Sequence, residues 1–247
     1  MSGPARRLLA EFLGTALLVT AVVGSGIMAT RLSDDIGLQL LENSVATAFA
    51  LGALILMFGP VSGAHFNPVV SAADWFLGRR TGTGLSAREL AGYVVAQVAG
   101  AICGAVLADL MFRLPAVDFA DKERGGSDLW LGEVVATAGL LLLIFALARS
   151  GRSSAAPAAV GAYIGAAYWF TSSTAFANPA VTIGRAFTDT FAGIAPASVP
   201  GFVAAQVAGL VVGAGLLLAL YPSAGTDAGT DTDVVVAHVV QQEGSTR

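Results

Sequence analysis

Six long apolar stretches, separated by polar segments, dominate the hydrophobic pattern of the chain. A helix that crosses a membrane needs about 20 apolar residues. By that rule, six stretches are long enough: 8–28, 38–58, 88–112, 129–148, 156–172 and 200–221. Two further apolar stretches, 67–77 and 178–188, are too short to cross. The pattern predicts an all-α membrane protein with six transmembrane helices and two shorter helical elements.

Each short stretch begins at an Asn-Pro pair, Asn67-Pro68 or Asn178-Pro179. Asn is a good N-cap, and Pro fits the first helical turn, where its missing N–H is not needed. A helix that begins inside a membrane is tolerated only where it is buried in protein or lines a water-filled path. The pairs therefore predict two re-entrant half-helices with their positive ends near the midplane, a field that opposes cations.

The chain also repeats itself. The segment Ala10–Thr15 resembles Gly132–Thr137, and Gly92–Gly100 resembles Gly201–Gly209. Each half contains three spans, so the second half must insert upside down relative to the first, and the functional site is expected between the halves. We predict a channel domain over 1–221, with repeats at about 5–112 and 129–221. A flexible cytoplasmic tail is predicted over 222–247.

Composition agrees with a membrane protein and excludes several other classes. The 247 residues are 55% hydrophobic and only 12% charged, about half the charged fraction of soluble domains. No basic patch with interleaved aromatic residues indicates a nucleic-acid partner. Cys103 is the only cysteine, which excludes an intrachain disulfide. We find no nucleophile–base pair, phosphate loop or metal-ligand cluster, so we expect no enzyme activity, no cofactor and no metal.

The basic residues predict the orientation. Under the positive-inside rule, cytoplasmic segments carry the excess of Arg and Lys. With the N-terminus inside, the cytoplasmic ends hold Arg6, Arg7, Arg79, Arg80, Arg88, Arg149, Arg152 and Arg247. The outer loops hold fewer, namely Arg31, Arg113, Lys122, Arg124 and Arg185. We therefore expect both termini in the cytoplasm of a cell whose plasma (inner) membrane holds the protein.

Over about residues 5–221 the chain resembles the aquaporin and glycerol-facilitator family, the major intrinsic proteins. The resemblance rests on the segments Ala10–Thr15, Ser62–Pro68 and Asn178–Ala180. It implies an aquaporin-like fold, a homotetramer in membrane lipid with one pore per subunit, and passive flux of water or small neutral solutes. The pore motifs of the family correspond here to Asn67, Pro68, Val69, Asn178, Pro179 and Ala180.

Two residues depart from the family pattern. Val69 stands where the family usually has Ala, and Val181 stands where the family usually places the arginine of its outer constriction. An ungapped count puts the other constriction positions at Thr47, Ala166 and Ala175. These small side chains predict a wide, uncharged selectivity filter that passes solutes larger than water, such as glycerol-like polyols or neutral metalloid hydroxides like arsenite.

Arg185 is a candidate replacement for the missing arginine. It lies one helical turn after Val181 on the same face. Two positions are open to it: the lumen, or the outer membrane interface, where its charge would snorkel into water. A shift of one turn moves the charge about 5.4 Å along the pathway. We favour the interface, since that distance would place the charge beyond the narrow zone.

Glu11 and Glu133 are the acids predicted inside spans. An intramembrane carboxylate is a functional candidate, for instance in proton coupling, but the matched positions favour a structural role in bracing the re-entrant loops, as the resemblance implies. His65 could face the lumen or brace its loop. The resemblance also implies a ladder of lumen carbonyls at Gly63, Ala64, His65, Thr174, Ala175 and Phe176.

Three functions remain open at this stage. The first is a passive channel for small neutral solutes. The second is an ion- or proton-coupled secondary transporter, a class that also uses inverted repeats and broken helices. The third is a membrane scaffold that conducts nothing. The paucity of titratable groups in the predicted spans favours the channel.

Overall fold

The computed structural model describes residues 3–79 and 82–222, and in this part of the chain it is all-helical, without strands. Its α-helices are α1 (Gly3–Leu32), α2 (Ile36–Ser62), α3 (Pro68–Gly78), α4 (Ala87–Met111), α5 (Ser127–Arg149), α6 (Ala156–Phe170), α7 (Pro179–Gly184) and α8 (Val199–Leu220). Helices α3 and α7 are the two re-entrant half-helices. The tail predicted for 222–247 lies outside the described residues from 223 onwards.

Within the residues that the structure describes, five helices are long and apolar enough to cross a membrane, counting α8 with the turn that precedes it. The sixth crossing element, α6, has 15 residues rather than the 17 predicted for 156–172. It begins one residue before Pro157 and ends where Thr171 turns to extended backbone. The half-helix α7 is also shorter than predicted, because a 3-10 turn over Arg185–Phe187 replaces its last part.

Local capping explains where several helices begin. The Asp35 carboxylate accepts the Leu38 N–H and starts α2. A reciprocal capping box between Ser86 and Glu89 starts α4. The half-helices α3 and α7 begin at Asn67-Pro68 and Asn178-Pro179, each with the Asn side chain bonded to the first free N–H groups.

Glycines let the helices within each repeat pack backbone to backbone. A Cβ built on Gly100 would lie 2.3 Å from the Phe12 carbonyl oxygen, and one on Gly104 would lie 2.2 Å from that of Ala16. In the second repeat, Gly209 and Gly213 meet α5 in the same way, at 2.8 and 2.7 Å from backbone oxygens. Such small-residue contacts are how membrane helices approach closely. They hold α1 on α4 and α5 on α8.

The two repeats meet through α2 and α6 and through the half-helices. A Cβ on Gly161 of α6 would lie 2.6 Å from the Ala48 carbonyl oxygen of α2. The N-terminal ends of α3 and α7 face each other across this junction, where their Asn side chains cross-bond. The space between the repeats therefore runs through the middle of the fold.

The packing of α1 on α4 predicts the effect of a single methyl group. Gly104→Ala should lower the free energy of unfolding by about 1–3 kcal/mol, because the new methyl collides with backbone that cannot rotate away. Gly215→Ala is the matched control, since a Cβ there meets nothing within 4 Å. Thermal unfolding in detergent measures both. Equal midpoints for the two variants would contradict the close-packing role of Gly104.

Candidate functional site

A cavity of about 800 Å³, including its open ends, lies between the two repeats. The long helices supply mostly apolar side chains to its wall: Leu18, Val22, Leu51, Ile55, Leu140, Ile144, Val160 and Ile164. The two re-entrant loops supply backbone and polar groups, over 63–67 and 175–178. The cavity therefore combines an apolar wall with a limited set of hydrogen-bonding groups.

Asn67 and Asn178 lie in the cavity wall and bind each other's loops. The Asn67 amide donates to the Ala177 carbonyl at 2.8 Å, and the Asn178 amide donates to the Phe66 carbonyl at 2.8 Å. The amide oxygens cap their own helices, through Val69 N–H at 3.1 Å and Ala180 N–H at 2.9 Å. Each side-chain NH₂ has two protons, which leaves one donor on each Asn for a molecule in the cavity.

Glu11 holds the first re-entrant loop. This fully buried carboxylate accepts the backbone N–H groups of His65 and Phe66 at 3.0 and 2.7 Å. It also accepts the Ser62 hydroxyl at 2.6 Å and the Gln97 amide at 2.8 Å. Four donors compensate the cost of burying the charge.

Glu133 has the same arrangement in the second repeat. Its carboxylate accepts the backbone N–H groups of Phe176 and Ala177, both at 2.8 Å, and the Gln206 amide at 2.6 Å. Neither Glu11 nor Glu133 is among the described residues that line the cavity. Each carboxylate therefore affects the cavity indirectly, by holding the backbone of the loop that lines it.

The backbone of the two loops is left-handed at matched positions. Ala64 and Phe66 have φ of 50° and 50°, and their counterparts Ala175 and Ala177 have φ of 47° and 49°. Non-glycine residues adopt this region only under constraint, which the Glu11 and Glu133 bonds supply. Of the predicted lumen-carbonyl residues, Gly63, Ala64, His65, Ala175 and Phe176 line the cavity. Thr174 does not, which corrects that part of the prediction.

His65 both faces the lumen and braces its loop. The ring lines the cavity, and its Nδ1 lies 3.0 Å from the Ser71 hydroxyl. That hydroxyl already accepts a Gln97 N–H at 3.0 Å, so its own proton is free to point at Nδ1, which favours the tautomer with the proton on Nε2. Within the described chain, Nε2 has no hydrogen-bond partner.

One mouth of the cavity, which we call the arginine mouth, is formed by Thr47, Tyr168, Ala175, Val181 and Arg185. The Thr47 and Tyr168 hydroxyls lie 3.2 Å apart. The predicted residue on span five, Ala166, is exposed on the outside of the fold and does not line the cavity. That prediction is wrong by two residues, because Ala166 lies off the face of α6 whose residues Val160, Ile164 and Tyr168 line the cavity at four-residue spacing. Tyr168 occupies the position instead.

Arg185 lines the arginine mouth and is 3% exposed, so the expectation that it snorkels at the outer interface is wrong. Helix α7 ends at Gly184 and tightens into a 3-10 turn that begins with Arg185. The Arg185 Nε donates to the Ala192 carbonyl at 2.5 Å, and the guanidinium lies 3.4 Å from the centre of the Phe176 ring. The mouth therefore contains an arginine and a tyrosine. Its side chains are not all small, and it is not uncharged.

The family model for the major intrinsic proteins matches residues 2–174, more than half of the chain. The chain belongs to the major intrinsic protein family. Members of this family are channels and not enzymes.

Relatives within the family are similar along most of the chain. An aquaglyceroporin of Rhizobium meliloti, named AqpS, is 53% identical over 212 residues, which cover 86% of this chain and 88% of the relative. A glycerol uptake facilitator protein of Pseudomonas aeruginosa is 33% identical, over 93% of this chain and 95% of the relative. The crystal structure of the aquaglyceroporin from Plasmodium falciparum shares the fold, with a TM-score of 0.63 at 21% identity, covering 88% of this chain and 95% of that one.

Sequence reasoning missed two groups at the arginine mouth. Tyr168 was detectable as one of the few residues with a polar tip in the apolar stretch 156–172. Arg124, which lies 5.1 Å from the centre of the Phe176 ring, gave no signal, because 124 and 176 are brought together only by the fold.

The hydrogen bonds of Glu133 predict that an isosteric substitution lowers both stability and solute flux. Glu133→Gln replaces one acceptor oxygen by an NH₂, which then faces another donor. We expect a loss of about 2 kcal/mol in the free energy of unfolding and a fall in solute flux as the second loop loses its constraint. Glu42→Gln is the matched control, since the Glu42 side chain forms no hydrogen bond or ion pair within the described chain. Unchanged flux and stability in Glu133→Gln would contradict the bracing role.

Proposed function

We propose that this channel carries glycerol-sized polyols, neutral metalloid hydroxides such as arsenite, and water, passively. The observation that carries the proposal is the cavity itself: apolar side chains from the long helices share its wall with the Asn67 and Asn178 donors and the loop carbonyls. A polyol presents hydroxyls and a hydrocarbon backbone together, so both parts find partners there. The aquaglyceroporin and glycerol-facilitator relatives support the same class of solute.

We further propose that Thr47, Tyr168, Ala175, Val181 and Arg185 together form the selectivity filter. Arg185 supplies fixed donors and a positive charge, the two properties by which an arginine excludes cations from a pore. Its place one turn beyond Val181 leaves Val181, a small apolar residue, where a guanidinium would otherwise narrow the path. The filter is thus cation-excluding and wider than one with the arginine at 181.

The positions of the acidic side chains favour passive flux over coupled transport. Coupling to protons through an acid needs a carboxylate that the pathway can reach. Among the described residues, no Asp or Glu lines the cavity, and Glu11 and Glu133 are fully engaged in holding the loops. The two half-helix N-termini at the junction add a positive field that opposes cations.

We propose a homotetramer in the lipid of the plasma (inner) membrane, with both termini cytoplasmic. The family resemblance supports the tetramer, and native mass spectrometry of the solubilised protein would count the chains. Large apolar side chains remain exposed on the outside of the single chain, for example Phe49 at 77% and Val211 at 68%. They are suited to lipid or to a neighbouring subunit.

The filter proposal predicts the response to a second arginine. In reconstituted vesicles, the native channel should pass water, glycerol and arsenite. Val181→Arg should cut glycerol and arsenite permeability by about tenfold or more, since two guanidinium groups about 5.4 Å apart would fill the mouth. Val181→Leu separates bulk from charge and should reduce flux less. Stopped-flow light scattering gives the rates. Fast water flux without any larger solute in the native channel would contradict the proposed filter.

The orientation predicts where an impermeant reagent reacts. Lys122 is the only lysine of the chain, and its loop lies on the side of the arginine mouth. A membrane-impermeant amine reagent added to intact cells without an outer barrier should label Lys122, and mass spectrometry locates the label. Lys122→Arg is the control for specificity. Labelling that requires permeabilised cells would reverse the proposed topology.

A further inference from the structure

Three cations cluster beside the arginine mouth and bind one short loop. Lys122, Arg124 and Arg185 donate to the carbonyls of three successive residues, Phe191, Gly193 and Ala192 respectively, at 3.3, 2.9 and 2.5 Å. Arg124 and Arg185 both lie over the Phe176 ring, at 5.1 and 3.4 Å. The chain has thus gathered three like charges from two segments that are far apart in sequence.

Among the described residues, no carboxylate forms an ion pair with this cluster, although the charge of Glu133 acts on Arg124 and Arg185 from behind the second loop. Among residues 3–79 and 82–222, the one ion pair within 4.0 Å joins Arg7 to Glu89 on α1 and α4. Carbonyls and an aromatic face offset part of the repulsion among the three cations, but they leave the net charge in place. A cluster of unpaired, partly desolvated cations is the arrangement that attracts an anion.

Arg185 provides free donors inside the cavity. It is 3% exposed, and its Nε bond to Ala192 is the only hydrogen bond of the guanidinium within the described chain. Among the described residues the two terminal nitrogens therefore have no hydrogen-bond partner, although Arg185 lines the cavity. A guanidinium presents parallel N–H groups whose spacing matches two oxygens of a carboxylate or phosphate.

Burial and neighbouring charges both act on the ammonium of Lys122. Burial, followed by the charges of Arg124 and Arg185, lowers the pKa of Lys122 to about 8, from an ordinary value of 10.5. Burial also lowers the pKa of Arg124 to about 10. Protonation of Lys122 is thus disfavoured by charges that a bound anion would offset.

We propose that Arg185, Arg124 and Lys122 form a binding site for a small free oxyanion, a carboxylate or a phosphate-like anion, at the arginine mouth. The two free nitrogens of Arg185 hold adjacent oxygens, and Lys122 and Arg124 supply the surrounding charge. The site shares its position with the path of the neutral solutes, but it recognises a negative charge rather than a neutral hydroxyl. The proposal does not depend on which neutral solutes cross.

The single lysine provides a direct readout of binding. An anion beside Lys122 raises the pKa of its ammonium, so the fraction of free amine near pH 7 falls and acylation slows. A rise of one in that pKa slows the reaction about tenfold. The native channel in zwitterionic lipid nanodiscs is treated with the neutral reagent N-acetoxysuccinimide, and mass spectrometry follows the Lys122 peptide. Free Nα-acetyl-lysine in the same solution corrects for the buffer.

We expect inorganic phosphate or formate to protect Lys122 saturably, by about fivefold to tenfold relative to chloride at equal ionic strength. Arg185→Gln should raise the half-saturating anion concentration about tenfold, and Arg124→Gln should raise it less. Arg31→Gln is the matched control, because Arg31 also bonds a carbonyl and covers a ring, both of Phe112, away from the mouth.

Three results would overturn the site. Equal protection by chloride would show that salt merely screens the lysine. Unchanged protection in both Arg185→Gln and Arg124→Gln would show a surface ammonium acting alone. Protection only in nanodiscs with anionic lipid would assign the cluster to a headgroup. The native titration needs no variant, so a variant that fails to fold leaves the test intact, and a failure of glycerol flux would not affect it.

Discussion

Two helix ends buried at the centre of a membrane protein must find partners for their free N–H groups, and this requirement organises the whole fold. Each Asn caps its own half-helix with its oxygen and bonds the other loop with its nitrogen, at 2.8 Å in both directions. The cross-bonds fix the distance between the two repeats. Glu11 and Glu133 can then hold the left-handed loops from behind, and the carbonyls and remaining amide protons are left to the cavity. Glycines hold α1 on α4 and α5 on α8 in backbone contact, and α1 and α5 are the helices that carry Glu11 and Glu133.

The two repeats share this frame and differ at their mouths. Seven residues after Asn67 stands Asp74, whose carboxylate accepts the Leu85 N–H at 2.8 Å and fastens a loop outside the cavity. Seven residues after Asn178 stands Arg185, which turns into the cavity. Likewise His65 packs on Tyr93, while its counterpart Phe176 packs on Phe202 and carries two arginines on its face. The shared loops and half-helices form the path, and these differences between the repeats give one end of it a strong positive charge.

That charge also separates the roles of the three basic residues. Arg185 contributes to the proposed filter because it is buried and lines the cavity. Lys122 and Arg124 lie between α4 and α5, are not among the residues that line the cavity, and act through their charge. A neutral solute meets them as hydrogen-bond donors, and a cation is repelled. An oxyanion would be retained. In both proposals, solute selectivity and anion binding rest on one cluster, and the midplane dipoles extend the same sign of potential inward.

The sequence alone determined the apolar spans, the two half-helices and the inverted repeat, because hydrophobic length and Asn-Pro capping are local signals that the membrane leaves little freedom to override. The matched glutamates were also predictable, since repeat symmetry places them behind the loops. The mouth was decided only by tertiary structure. Tyr168 rather than Ala166 lines the mouth because the fold turns that face of α6 to the cavity. The inward turn of Arg185 depends on the 3-10 turn after Gly184, the Ala192 carbonyl and the Phe176 ring. Those partners come from other segments, so no count along one helix could find them.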